Sequence, residues 1–546
     1  MQNAKPQQWK ALLKKSLVTA GLFVGVLAVT MLAYFLIKPY IDFQHRGMFA
    51  QSFMVVTIAV ICVFIAYLGM TKRLTLRKFL VLLLAMGLVL RLGYILYTAG
   101  VARQHDTFTP NEDGHEAYAW ILFTTGKLPT SNIYQFYHPP LNAMVQALFM
   151  KFINAFTGAL TEWFSLGDYF TTRFLDGKPD YMDAGRYFLF SSCQILGVLY
   201  SFITAYLGVK IVCLFDFSNK TKGLLSAFVV LFPRGIQISG MLNNDGLAYM
   251  LAIASVYFAV KWHKAPHFGW IIACAFSVGL GLMTKLSAAT VCLPIAAIFI
   301  YRFVCVLLTK NKRDIWTLIA QFATFLLICA PIGLWFQVYA KLRFDQSFGF
   351  VFANLNPALS TAEYSFFERF VIAFDFSEYF GMLYCRPFDN YNLFNYVLRN
   401  AVFGEFSYWQ GEGFGAAAVL LGGAFIFLLV AGEIVCFFKS LKRPKRSLNG
   451  FAQTKTRSLQ EVIFVVIFTL SQVGAFVYFN LSMPYGCTMD YRYILPMSLV
   501  LALTLGMVKE GLDKHNDALS ANLSRWLTIT SIGFLACSAA FYCTCI

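Results

Sequence analysis

The strongest constraint in this chain is a succession of apolar runs, each close to the length that crosses a bilayer. They cover residues 16–37, 53–71, 79–101, 186–208, 224–241, 246–262, 267–284, 286–308, 315–339, 414–438, 460–480, 492–510 and 526–545. A spanning helix needs about 20 mostly apolar residues. Inside lipid its backbone polar groups must be satisfied within the segment, so such runs fold as helices. The expected fold is an all-α polytopic membrane protein, a bundle of about thirteen transmembrane helices. Composition agrees, with 58% hydrophobic and 13% charged residues, against about 45–50% and 25% in soluble domains.

The net charge is +17, from 44 Lys and Arg against 27 Asp and Glu. A nucleic-acid partner would want that charge gathered on one folded face. Here it falls in short pieces between apolar runs, the pattern of cytoplasmic loops, so no nucleic-acid partner is expected. With the N-terminus cytoplasmic, Lys72 and Arg73, Lys220 and Lys222, Lys261 and Lys264, Lys310 to Arg313 and the "KSLKRPKR" cluster all fall inside. This holds only if the apolar stretch at 139–160 does not cross. Leu141, Met144, Val145, Leu148, Phe152 and Phe156 form one apolar stripe there, with Asn142, Gln146, Lys151 and Asn154 off it. That is the pattern of an amphipathic helix lying in the outer interface. Pro139 and Pro140 would set its first turn.

The first apolar run follows Lys10, Lys14 and Lys15 as a signal peptide would, but it is long and lacks a clear cleavage site. It reads as a retained span. Thirteen cysteines are scattered through the apolar runs without metal-ligand spacing. Cys385 and Cys487 differ, since both fall in outer stretches where an oxidising compartment would permit a disulfide between them.

Two long polar and aromatic stretches, about 102–185 and 340–413, interrupt the spans. The first carries "QHDTFTPNEDGHEAYAW", with Asp106, Glu112, Asp113 and Glu116 among His105 and His115. Turn chemistry at "NEDG" accounts for part of this composition. A carboxylate near the interface could also accept a proton from a hydroxyl or amine. Later spans meet the same face with Arg234 and Asp245 in "PRGIQISGMLNNDGL", Lys285 in "GLMTKLSA", Glu405 in "FGEFSYWQGE", and Asp490 and Arg492 in "PYGCTMDYRYILP". Ionisable groups at membrane depth are costly and tend to be functional. Acids that orient an acceptor, with cations that hold a phosphate, suit transfer from a lipid-linked phosphate donor.

The ordered set "QHD…GHEAY…GKLP…YQFYHPPLN", "SGMLNNDGL", "GLMTKLSA", "FGE" and "RYILP" resembles the GT-C superfamily of polyprenyl-phosphate-sugar-dependent glycosyltransferases. Within it, the branch of bacterial protein O-mannosyltransferase and lipid A aminoarabinose transferase relatives is most similar. The resemblance spans residues 79–510. It makes residues 1–78 extra N-terminal helices and 511–546 a C-terminal helix. It implies a multi-pass inner-membrane enzyme of the cell envelope. A sugar would pass from a polyprenyl-phosphate carrier to a lipid, glycan or protein acceptor at the outer face, with inversion. An acid of the first large outer loop would be the base. Asp106 fits if the base closely follows the span, and Glu112 or Asp113 if spacing to "HPPL" is the guide. Lys285 and Arg492 would neutralise the carrier phosphate, and Arg234 and Asp245 would shape the donor pocket. His105, His115, His138 and Glu405 would support the site, His138 by ordering the interfacial helix. No cofactor is implied and no dedicated metal cage stands out, although a few carboxylates suffice to hold a divalent metal through oxygen.

The rivals are a cell-envelope glycan ligase or flippase, which would share carrier lipids, and a transporter. A transporter would show mid-span charges, broken helices and repeats. Arg91 is the clearest deep charge, and no internal repeat is visible.

Overall fold

The computed structural model describes residues 4–40, 46–100, 106–350, 357–371, 389–405, 411–441 and 459–545. Among them the regular structure is entirely helical, apart from one isolated bridge between Ser360 and Tyr485. The N-terminal part comprises α1 (Ala4–Ile37), α2 (Arg46–Met70), α3 (Leu76–Tyr97), α4 (His115–Thr125), α5 (Leu141–Phe164), α6 (Tyr169–Arg173) and α7 (Ala184–Ser191). The central part comprises α8 (Gln194–Leu214), α9 (Asn219–Leu231), α10 (Pro233–Gln237), α11 (Asp245–Lys264), α12 (Phe268–Leu282), α13 (Cys292–Leu308) and α14 (Lys312–Phe344). After the short α15 (Phe366–Phe370) come α16 (Leu393–Phe403), α17 (Glu412–Leu441), α18 (Leu459–Ser482), α19 (Met497–Leu512) and α20 (Ala518–Thr544).

By length and composition ten helices are fit to cross a membrane, or twelve if two bent pairs count as single spans. The bends are 45° between α9 and the turns to Gly240, and 59° between Gly486–Ile494 and α19. The expectation of thirteen differs at three helices, for physical reasons. Helix α11 carries Asp245 in its first turn and Lys261 and Lys264 in its last, which lowers its hydropathy. Helix α12 has only 15 residues, about 22 Å of rise. Helix α5 is apolar enough to count, yet it is two-faced. Its inward face is Asn142, Ala143, Gln146, Ala147, Met150 and Ile153, and Gln146 Nε2 donates to Leu242 O at 2.6 Å. The stripe of Met144, Leu148, Phe152 and Phe156 is exposed. So the polar residues of its first turns, Asn142 and Gln146, face protein, whereas Lys151 and Asn154 are exposed along with the apolar stripe.

The crossing helices alternate in direction, so the bundle has two distinct ends. At one end lie the turns rich in Lys and Arg. Helices start there on side-chain caps, with Thr75, Ser218, Asn311 and Asp517 accepting from backbone N–H groups of α3, α9, α14 and α20. Such caps satisfy the orphan donors of a helix start. At the other end α11, α13 and α19 begin at Asn244, Val291 and Pro496, with no side-chain cap.

Packing fixes that second end from the side. One aromatic cluster joins the end of α1 to the first long loop: Phe35 lies against Phe170, Phe174 and Phe188, and Tyr34 stacks on Phe174 at 5.6 Å. Beside it the buried Lys38 donates to Ile95 O at 2.8 Å, Thr98 O at 3.1 Å and Gln194 Oε1 at 3.0 Å. Those carbonyls close the last turn of α3, just before the acidic loop. The deep charge Arg91 is fully buried and satisfied, donating to Ser201 Oγ, Gly87 O and Val230 O.

Candidate active site

The acidic loop folds back onto the start of α4. The Thr109 hydroxyl accepts from the N–H of Asp113 at 3.1 Å and of Gly114 at 2.9 Å, and donates to Asp113 Oδ1 at 2.6 Å. The Asx/Thr chemistry of "TPNEDG" thus closes a turn. His115 N–H donates to Asp106 O at 3.2 Å and Glu116 N–H to Thr107 O at 3.0 Å. This close approach needs glycine between them, because a Cβ on Gly114 would sit 2.5 Å from Thr107 O. The Asp106 carboxylate is thereby held beside the His115 ring, with Oδ2 3.6 Å from Nε2.

Two buried ion pairs face it from other segments. Lys285, between α12 and α13, donates to Asp245 Oδ1 at 2.5 Å, and Asn243 Nδ2 donates to Asp245 Oδ2 at 2.7 Å. Arg234, in α10, donates to Asp490 Oδ1 at 2.6 Å, with both side chains almost fully buried. Asp490 also accepts from the N–H of Arg492 at 2.7 Å. Arg492 reaches across, with Nη1 3.8 Å from Asp106 Oδ2 and Nε 3.7 Å from Asp490 Oδ2. The Tyr493 ring lies 5.1 Å from Lys285 Nζ and 5.3 Å from the Arg492 guanidinium carbon, contacts of cation–π length. Gly404, at φ +66°, lets the chain pass against the Arg234 guanidinium, which any side chain would strike.

Together these groups enclose a cavity of about 620 Å³. Asp106, His115, His138, Lys285, Glu405, Asp490 and Arg492 all line it. Asp245 and Arg234 lie behind, each bonded to a lining residue. Burial opposes charge on Asp106, but His115, Arg492 and Lys285 overcome it and hold this carboxyl well below the usual range. Burial and the neighbouring Asp490 push Glu405 the other way, up to about 7, while Tyr396 donates to its Oε1 at 2.7 Å. Burial and the Lys285 charge hold the His138 ring well below its ordinary value, so it is neutral. One cavity therefore gathers three acids, Asp106, Glu405 and Asp490, with two cations, Lys285 and Arg492.

Not every expected residue joins it. Glu112 is exposed, at φ 54°, and pairs with Arg186 Nη1 at 2.7 Å outside the cavity lining. The Asp113 carboxylate is engaged by Thr109 and is likewise absent from the lining. His105 lies outside the described residues. So does Cys385, the expected partner of Cys487, and Cys487 itself lines the cavity. Among the described residues no three His, Cys, Asp or Glu side chains gather as a metal would require. Sequence reasoning missed the pair of buried Glu116 with Arg186, a two-pronged fork with both contacts at 2.7 Å. It also missed Tyr134, Tyr137, Gln337 and Tyr493, which line the cavity. The spacing of Arg186 from its acids gives no local signal, and these three tyrosines are lost among the 28 of the chain.

Residues 187–335 match the family model described as dolichyl-phosphate-mannose-protein mannosyltransferase. That segment holds Arg234, Asp245 and Lys285, three of the charges at the cavity. That segment, 187–335, is similar to a family within the GT-C membrane glycosyltransferases. A search of curated proteins finds no match to this chain. Among solved structures it is similar to ArnT from Cupriavidus metallidurans in the apo state, with 12% identity, TM-score 0.41, and coverage of 86% of this chain and 76% of that one. The same protein bound to undecaprenyl phosphate gives 14% identity, TM-score 0.40, and coverage of 85% and 76%.

Proposed function

We propose that this GT-C protein moves a sugar from a polyprenyl-phosphate carrier to an acceptor hydroxyl or amine at the outer face of the inner membrane. The observation that carries the reading is the convergence of Asp106, Lys285, Glu405 and Arg492, from four distant segments, on one cavity. The positive-inside rule supports the side, since the cavity lies at the end opposite the Lys- and Arg-rich turns.

Asp106 is the base. The acceptor oxygen or nitrogen attacks the anomeric carbon while Asp106 takes its proton. The bond from that carbon to the phosphate oxygen breaks, its electron pair leaves with the phosphate, and the configuration inverts. Lys285 and Arg492 stabilise the charge that collects on the leaving phosphate. These same cations, with His115, keep Asp106 ionised. Donor phosphate would absorb part of their charge and return proton affinity to Asp106 as the donor arrives. The rings of His138 and Tyr137 lie against each other, 4.0 Å apart and tilted by 33°, in the wall from which α5 starts. Glu112 and Asp113 serve the loop rather than the proton transfer.

The test is mass spectrometry of envelope glycoconjugates from cells lacking the gene, complemented with wild-type chain or with Asp106→Asn. The expected result is a species lighter by one sugar in the deletion, restored by wild type and not by the variant. Full restoration by Asp106→Asn would end the assignment.

A further inference from the structure

A second cavity, of about 360 Å³, opens at the opposite end of the bundle, where α11, α13 and α18 meet. Its polar lining is Lys264, Arg302, His263, Tyr301, Gln460 and Glu461, and the remainder is apolar. Glu461 is matched by Lys264, with 3.6 Å between Oε1 and Nζ. Arg302 makes no hydrogen bond or ion pair among the described residues. One positive charge is therefore left uncompensated in a half-apolar space.

The neutral side chains hold the His263 ring in place and leave one of its nitrogens open. Gln460 Oε1 lies 3.3 Å from His263 Nε2, so the ring carries its proton there, and Gln460 Nε2 donates to the Tyr301 hydroxyl. The Nδ1 of His263 is buried and makes no hydrogen bond among the described residues. An anion in the cavity would favour protonation of Nδ1 and add a donor to those of Arg302 and Lys264. Toward the middle of the bundle, Leu293 and Ile300 of α13 and Val466 and Leu470 of α18 are exposed, so acyl chains can run along these two helices.

We propose that this cavity binds the phosphodiester headgroup of an anionic phospholipid. A phosphodiester carries one negative charge, which neutralises the surplus of the lining. Basic pockets between spans at the cytoplasmic side are suited to such headgroups. The site shares no residue with the transfer cavity and would stand even if that assignment failed.

Native mass spectrometry of the full chain in detergent tests it, with phosphatidylglycerol, phosphatidylcholine of the same acyl chains, and inorganic phosphate as probes. Wild type should retain phosphatidylglycerol in preference to phosphatidylcholine. Arg302→Gln with Lys264→Gln should cut that preference by about fivefold for each cation removed. Glu461→Gln should raise it, a gain that a folding defect cannot mimic. Lys285→Gln, in the other cavity, should leave it unchanged. Equal retention of the two lipids, a preference insensitive to Arg302 and Lys264, or its loss in Lys285→Gln would overturn the proposal. So would displacement of the lipid by inorganic phosphate at equal concentration, which would mark a simple anion site.

Discussion

The two ends of this bundle use charge in opposite ways. At the basic end, charged groups are mostly solvated. Lys509 pairs with Asp513 one turn away at 2.8 Å, Lys439 pairs with the half-exposed Asp517, and Thr75 and Ser218 cap helices. At the cavity end, charges are fewer and their pairs are buried. Arg234 reaches Asp490 and Lys285 reaches Asp245. Pairs of the first kind are worth roughly 0–1 kcal/mol each. Pairs of the second kind are costly to assemble and costly to break. Such expense is what the proposed transfer site would require of the cavity end.

The sharpest way to break the comparison is at the base. Asp106→Asn should lower transfer by about 10²–10⁴-fold, measured as turnover of lipid-linked sugar in membranes, with expression unchanged. Glu112→Gln should leave turnover within a few-fold of wild type. An equal loss in both would mean that the loop as a whole matters, and no single carboxylate in it. Next comes Arg234→Met, which strands Asp490 in the interior. It should destabilise the chain by about 3–5 kcal/mol, read as a lowered unfolding midpoint in detergent. Lys439→Met, at the basic end, should shift that midpoint hardly at all. A similar shift in both would erase the distinction between the ends.

Glu405 sharpens the cavity end by pH. Its folded pKa of about 7 lies above the usual 4.5. The native state therefore binds the proton more tightly than the unfolded chain does. The stability this contributes is complete below about pH 4.5 and is lost as pH rises through about 7. Glu405→Gln should flatten both the stability profile and any limb of activity near pH 7. A limb that persists in Glu405→Gln belongs to another group. The smallest effect is expected from Thr75→Ala, which removes the cap on α3. About 1 kcal/mol of stability should be lost, with turnover unaltered, as a thermal melt and the transfer assay would report.

Much of this contrast is legible in the sequence, and the illegible part has physical causes. Apolar run length fixes the spans of α1, α3, α13, α17 and α18, because helices in lipid follow run length. At α11 and α12 the helices lie where the runs place them, although polar ends and a short run set them apart from a uniform span. The stripe on α5 is visible, but which side meets protein is not, since lipid and protein interior are both apolar. The motifs bring Asp106, Lys285, Glu405 and Arg492 to notice one by one. They do not rank Asp106 over Glu112 and Asp113. That ranking depends on how "TPNEDG" folds back over Gly114, a three-dimensional closure that spacing alone does not express. The Glu116–Arg186 fork and the Lys38 knot are long-range contacts with no local signature.

The central claim is that the gathered charges form a seat for a lipid-linked phosphate. Its most direct test is the affinity of the purified chain for polyprenyl phosphate, compared among wild type, Lys285→Met with Arg492→Met, and Arg302→Gln. The account predicts a loss of at least about tenfold in the double variant, the equivalent of about 1.4 kcal/mol, and no change in Arg302→Gln. Unaltered affinity in the double variant, or a loss that follows Arg302 instead, would contradict it.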